Sequence, residues 1–145
     1  MTNPLRRYSD VLFAFLRIVA GFLFACHGAQ KLFGMLGGER ATEPLMVFAG
    51  VVEFGGGLLL VVGLLTTIAA FLASGEMAFA YFMVHAPQSP WPIVSHGELP
   101  ALFAFLFLFI AAHGAGPLSL DAIMAKGGKG AARGKASPHA AAKGV

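Results

Sequence analysis

Four apolar runs, each near the length a helix needs to cross a bilayer, constrain this chain more than any other feature. They cover about 11–33, 45–65, 67–84 and 99–115, and a spanning helix takes about 20 residues. Only Leu65-Thr66-Thr67 separates the second run from the third, so these two are expected as a tight antiparallel hairpin. The 34–44 connection carries Gly37-Gly38-Glu39-Arg40, and the 86–97 connection carries Pro87, Pro90, Pro92 and Trp91, which suit an interfacial loop. Charged residues make up 12% of the chain, about half the share in soluble domains, so lipid is the expected solvent. The reading is an all-α, four-helix transmembrane bundle over 11–122. A short segment (1–10) precedes it, and a disordered basic tail (123–145) follows. The first run is too long for a cleaved signal peptide and contains Arg17, so it is read as retained.

Flanking cations set the expected orientation. Arg6 and Arg7 precede the first helix, while Lys126, Lys129, Arg133, Lys135 and Lys143 follow the fourth, in a stretch without acid. The third loop has neither Lys nor Arg. Four crossings place both termini on one side, and the positive-inside rule makes that side cytoplasmic. The net charge of +3 thus reports a tail that orients the protein, with weak attraction to anionic lipid, rather than a nucleic-acid surface. One cysteine, Cys26, excludes an intrachain disulfide and any multi-cysteine metal or iron–sulfur centre.

Between Ala41 and Ala125 there is no Lys or Arg, yet Glu43, Glu53, Glu76, Glu98 and Asp121 lie there. Measured from the ends of the apolar runs at about 1.5 Å per residue, Arg17 falls roughly 9 Å deep, Glu76 roughly 14 Å and Glu53 roughly 12 Å from the opposite side. Charges at such depth are costly, and three of them are expected to meet. On this ruler Lys31 lies at the far end of the first helix, so Arg17 is the expected partner of Glu53 or Glu76. One guanidinium can pair both carboxylates, or pair one while the other keeps a proton through desolvation and can relay it. Gly50, Glu53 and Gly57 share one helix face, as do Ala69, Ala73, Glu76 and Ala80, and Arg17 with Gly21 and Gly28. Small residues let membrane helices approach closely, so these faces should look inward. A plain ion pair that holds helices together is the competing reading.

His27 and Lys31 near the end of the first helix, His85 at the end of the third, and His96 with Glu98 before the fourth are expected on the outer side. Of these, only His27 and His85 could face each other at similar depth as bis-histidine haem ligands, and the spacing gives a metal centre no support. The first helix reads Leu16-Arg17-Ile18-Val19-Ala20-Gly21, then His27-Gly28-Ala29-Gln30-Lys31-Leu32-Phe33-Gly34. The second carries Glu53-Phe54-Gly55-Gly56-Gly57 and Gly63-Leu64-Leu65-Thr66, and the third Glu76-Met77. Over about 10–121 this resembles the DoxX family of small four-helix membrane proteins. Where that family usually has an Asn-Gly-Gly-Glu type sequence, this chain has Ser95-His96-Gly97-Glu98.

The resemblance implies the bacterial plasma membrane, multi-pass, and quinone-linked redox chemistry in association with partner proteins. The chain has no cofactor motif of its own, neither a dinucleotide fingerprint nor a cysteine cluster. It is therefore expected to act as a subunit of a membrane oxidoreductase, with quinone as the cofactor it would bind. Glu53 and Glu76 are the candidate catalytic groups, and Arg17, His27, Lys31, His85 and Glu98 the candidate binding groups. These should surround a pocket opening toward the outer leaflet between the first, third and fourth helices. The same carboxylates would also suit a small proton-coupled transporter, and the bundle a membrane scaffold. Expected partners are the bilayer, redox proteins or further copies of the chain.

Overall fold

A computed structural model describes residues 3–135, with side chains placed as far as residue 127. Among the described residues there are six helices and no strand: α1 (Ser9–Phe33), α2 (Pro44–Val62), α3 (Thr66–Ala80), α4 (Pro92–Ser95), α5 (Glu98–His113) and α6 (Leu120–Lys135). A single 3₁₀ turn, Arg6–Tyr8, leads into α1. A π-turn over Tyr81–His85 prolongs α3, closed by the Ala86 N–H on the Tyr81 carbonyl at 2.9 Å. Three stretches are long and apolar enough to cross a membrane: Arg6–Phe33, Pro44–Val62 and Thr66–His85. The 16-residue α5 is equally apolar in character but shorter. Where composition predicts a disordered tail from 123, α6 continues as helix to Lys135; residues 136–145 of that expectation lie outside the described residues.

Proline and glycine punctuate these helices where chain geometry favours them. Pro44 opens α2 at a position whose N–H would have no helical partner. Gly63, at φ 69°, closes α2 in the left-handed conformation and sends its N–H to the Leu59 carbonyl. The chain then reverses through Leu65 directly into α3.

Antiparallel neighbours pack as α1 on α2, α2 on α3, and α3 on α5, and phenylalanines close the ring between α1 and α5. Phe24 of α1 lies 4.8 Å from Phe107 and 6.1 Å from Phe103, centroid to centroid, and Phe13 lies 3.9 Å from the His113 ring. Phe24, Leu60, Ala70, Ala73, Phe107 and Ile110 are fully enclosed at the centre. Large apolar side chains such as Phe15, Phe22, Phe71 and Phe105 cover the outside, the reverse of a soluble protein.

The α1–α2 seam is a backbone-to-backbone contact. A methyl group added to Gly57 would lie 2.5 Å from the Gly21 carbonyl oxygen and 2.6 Å from the Ala25 nitrogen, and one added to Gly28 would overlap the Phe54 backbone. This closeness fixes the register. Gly21 lies beside Leu60 and Val61, Gly28 beside Phe54, and Lys31 beside Gly50, while Arg17 lies against Gly63.

At the end of the bundle that carries the α2–α3 turn, a polar clasp ties three segments together. The buried Arg17 donates from Nη1 to the Ala115 carbonyl and from Nη2 to the Leu118 carbonyl, both at 2.8 Å. The Asp121 N–H donates to the Gly63 carbonyl at 2.9 Å. Its carboxylate accepts from the N–H groups of Leu65 (2.9 Å) and Thr66 (3.0 Å). Amides in the first turn of a helix lack internal partners, so Asp121 caps α3 from a distant part of the chain. Burial opposes the charge on Asp121, but the two amide donors and the Arg17 guanidinium outweigh it and hold the carboxyl below its ordinary value.

Asp121→Ala should lower unfolding stability in detergent by about 1–2 kcal/mol, the usual range for a lost cap. A depressed carboxyl contributes fully above its unfolded value of about 4, and the contribution fades as pH falls through the folded value. Thermal midpoints measured from neutral to acid pH should therefore show the gap between the two proteins narrowing below about pH 4. A constant gap would remove Asp121 as the source.

Candidate functional site

About half a bundle's length from the clasp, α1, α2 and α3 bring ionisable side chains together inside apolar surroundings. Glu53 sits on the glycine face of α2 and is 2% exposed. Lys31, beside Gly50 and one turn beyond Gly28, directs Nζ along the seam to Glu53 Oε1 at 2.5 Å. Glu76 approaches from α3, close enough to feel the charges of both Glu53 and Lys31, and the half-buried His27 acts on Glu53. The second oxygens of Glu53 and Glu76 are both buried and accept no hydrogen bond.

Buried acceptors without donors are rare because each forfeits its hydration. Lys31 pairs with Glu53 alone, which leaves the carboxyl of Glu76 without a bonded cation. The arrangement can therefore accept hydrogen bonds from a ligand carrying hydroxyl or ammonium groups, or take up a proton.

Arg17 does not join this cluster, contrary to the expectation that it would pair with Glu53 or Glu76. The seam register explains the difference. Arg17 lies level with Gly63, at the end of α2, and Gly28 marks the level of Glu53. These levels are 11 residues apart along α1, roughly 16 Å. Depths counted from the ends of the apolar runs bring Arg17 and Glu53 too close together, and Lys31, in the last turn of α1, reaches back along the seam to the carboxylate instead. Carbonyl oxygens of the 115–118 segment accept from Nη1 and Nη2 of Arg17 instead, and its buried Nε has no partner.

His85 and Glu98 belong to the connection between α3 and α5. The His85 ring nitrogen Nδ1 lies 2.8 Å from the Ser95 carbonyl oxygen, and its Cβ leaves no room for a side chain on Gly97. His96 adopts φ 56° and is exposed, as is Glu98 in the first turn of α5. A cavity of about 330 Å³ opens between α3 and α5, lined by Ser74, Ala78, Tyr81, Phe82, Ala101, Ala104, Phe105 and Leu108. None of the expected pocket residues lines it. Ser74 and Ala78 each stand two residues from Glu76, about 200° around the helix, so the cavity opens on the opposite face of α3. Among the described residues, no group of three or more His, Cys, Asp or Glu side chains gathers as a metal site would require.

Sequence reasoning missed the reach of Lys31 and the capping role of Asp121. The first was encoded in glycine spacing, since Gly21 and Gly28 on α1 repeat the interval of Gly50 and Gly57 on α2. The second depends on a contact 55 residues away in sequence, and nothing local announces it.

An outside rich in exposed aromatic and aliphatic side chains, around a part-buried group of Lys31, Glu53 and Glu76, defines a small helical membrane protein with an ionisable interior site. The DoxX family model matches residues 12–86, which span α1 to the π-turn. An uncharacterized protein of Haemophilus influenzae is 42% identical over 127 residues, covering 82% of this chain and 95% of that protein. No solved structure matches the chain significantly. The chain belongs to the DoxX family.

If the Lys31–Glu53 pair is a buried ion pair, removing one partner strands the other. Lys31→Met should cost about 3–5 kcal/mol, and Lys31→Met/Glu53→Leu should recover most of that loss. Thermal unfolding of the two variants in the same detergent reads the difference. Equal destabilisation would mean that Glu53 is stabilised by something other than Lys31.

Proposed function

We propose that this protein crosses the bacterial plasma membrane four times, through α1, α2, α3 with its π-turn, and α5, with both termini cytoplasmic. It acts there as a subunit in quinone-linked redox chemistry. The topology is supported by the antiparallel order of these four helices and by the placement of Arg6, Arg7 and Lys126 at the clasp end. The single observation that carries the functional reading is the pair of buried, partnerless oxygens on Glu53 and Glu76 beside the Lys31–Glu53 contact. A quinol offers two hydroxyl donors on an apolar ring, and such a ring matches acceptors of this kind inside an apolar bundle.

In this reading Lys31 neutralises Glu53, which orients one ring hydroxyl. Glu76 accepts from the ring and can take a proton from it. Oxidation of a quinol to a quinone releases two protons and two electrons. Glu76 can receive one proton and half-buried His27 the other. The electrons leave through a partner protein that supplies the redox centre. Arg17 has a structural part, holding the 115–118 segment, and His85 holds the loop before α5.

A soluble short-chain quinol, titrated anaerobically into the purified protein by calorimetry, should bind wild type. Glu53→Gln and Glu76→Gln should each weaken binding about tenfold, because a hydrogen bond to a charged acceptor is worth roughly 1–1.5 kcal/mol more than one to a neutral acceptor. Absence of binding, or affinities unchanged in both variants, would overturn the site. For topology, cysteines at positions 89 and 137 in a Cys26→Ala background should react with an impermeant maleimide from opposite sides of intact cells. Labelling of both from one side would overturn the four crossings.

A further inference from the structure

We propose that α6 is a membrane-surface helix that docks the protein's clasp end onto anionic lipid head groups. This rests on the proposed crossing of the bilayer and extends to a segment that the interior site does not use. Three independent observations converge on it. First, Leu120, Ile123 and Met124 recur at intervals of three and four residues and so form one stripe, and Ile123 and Met124 are each 65% exposed. Among the described residues, nothing covers Ile123 and Met124 on that stripe. Second, the charge is one-sided: Lys126 lies off the stripe, and the sequence continues through Lys129, Arg133 and Lys135 without an acid. Asp121, the acid at the start of α6, is already spent as the cap on α3.

The third observation is where the helix begins. The Asp121 N–H on the Gly63 carbonyl and the Arg17 fork on Ala115 and Leu118 pin the start of α6 against the end of α2, the start of α3 and a point eight residues inside α1. A helix of 16 residues, about 24 Å long, then starts at the level of the α2–α3 turn, which in the proposed topology is the level of the head groups. Arg6 and Arg7 emerge at the same end, with the Arg7 guanidinium 4.6 Å from the centre of the exposed Tyr8 ring. An apolar stripe with Lys126 off it, on a helix whose sequence is rich in basic residues, is the pattern of helices that lie in the interface plane. The cationic character selects anionic lipid. It also disfavours a second copy of the same helix, which would bring like charges together.

The test uses the full chain with Cys26→Ala, reconstituted singly in nanodiscs of either pure phosphatidylcholine or 30% phosphatidylglycerol. A spin label is placed in turn at positions 123, 124 and 126, and at Phe105 of α5 as a reference for acyl-chain depth. Collision with oxygen and with a water-soluble nickel chelate reads the surroundings of each label. In phosphatidylglycerol discs, positions 123 and 124 should favour oxygen and position 126 nickel, and the contrast should fall several-fold in phosphatidylcholine or at high salt. Equal accessibility at all three positions would overturn the proposal. So would a contrast indifferent to lipid charge, or one seen only with two protein copies per disc. A nickel-accessible label at position 105 would instead indict the crossing by α5, which separates that failure from a failure of α6.

Discussion

The contact between the α1 and α2 backbones through Gly21, Gly28 and Gly57 sets the position of almost everything else. With no side chains to separate them, the two helices can adopt few registers, and the one they adopt puts Lys31 above Glu53 and Arg17 beside Gly63. In a medium as apolar as the helix surfaces, hydrophobic burial contributes little to association, and close packing of small residues takes its place. The two ionisable clusters of this protein are thus products of one seam. Lengthening α2 by a residue would separate Lys31 from its carboxylate and Arg17 from the carbonyls it binds.

The two clusters solve the cost of buried charge in different ways. Arg17 is surrounded by acceptors that carry no net charge, with Asp121 near enough to balance it while bonded to the α3 amides. Although the buried Arg17 Nε has no partner, the consequence of that centre is mechanical: it joins the segment after α5 to the α2–α3 turn. The Lys31–Glu53–Glu76 centre is left open, with acceptors in excess of donors. Groups that only hold helices together are usually satisfied by one another, because an unsatisfied buried group opposes folding. What sets the second centre apart is that both of its partnerless atoms are carboxyl oxygens beside a single ammonium, which is the physical reason to place chemistry there.

Much of the fold was legible in the sequence because it depends on local rules. Apolar runs become helices in lipid, Pro44 and Gly63 mark ends, and Leu65 leaves room for only a tight reversal. The identity of the inward faces was legible too, since Glu53 and Glu76 share stripes with glycine and alanine. What composition and helix length could not supply was relative height. Each apolar run was measured from its own end, whereas the true heights come from which glycine meets which backbone. The register sets Arg17 about three turns from the level of Glu53 and gives its expected place to Lys31. The helical α6 was hidden for a related reason: its glycine-rich sequence has poor intrinsic propensity, and its first turn is anchored by contacts made far away along the chain.

The backbone seam also makes the bundle mechanically uneven. Where α1 meets α2 there is no layer of side chains to compress, so a push on one helix reaches the other without loss, as through a laminated beam. Between α3 and α5 the cavity lined by Ala78, Ala101 and Ala104 provides slack. Lateral pressure in the bilayer therefore meets a stiff half and a yielding half. Changes in membrane tension or thickness will be absorbed on the α3–α5 side, sparing the distance between Lys31 and Glu53.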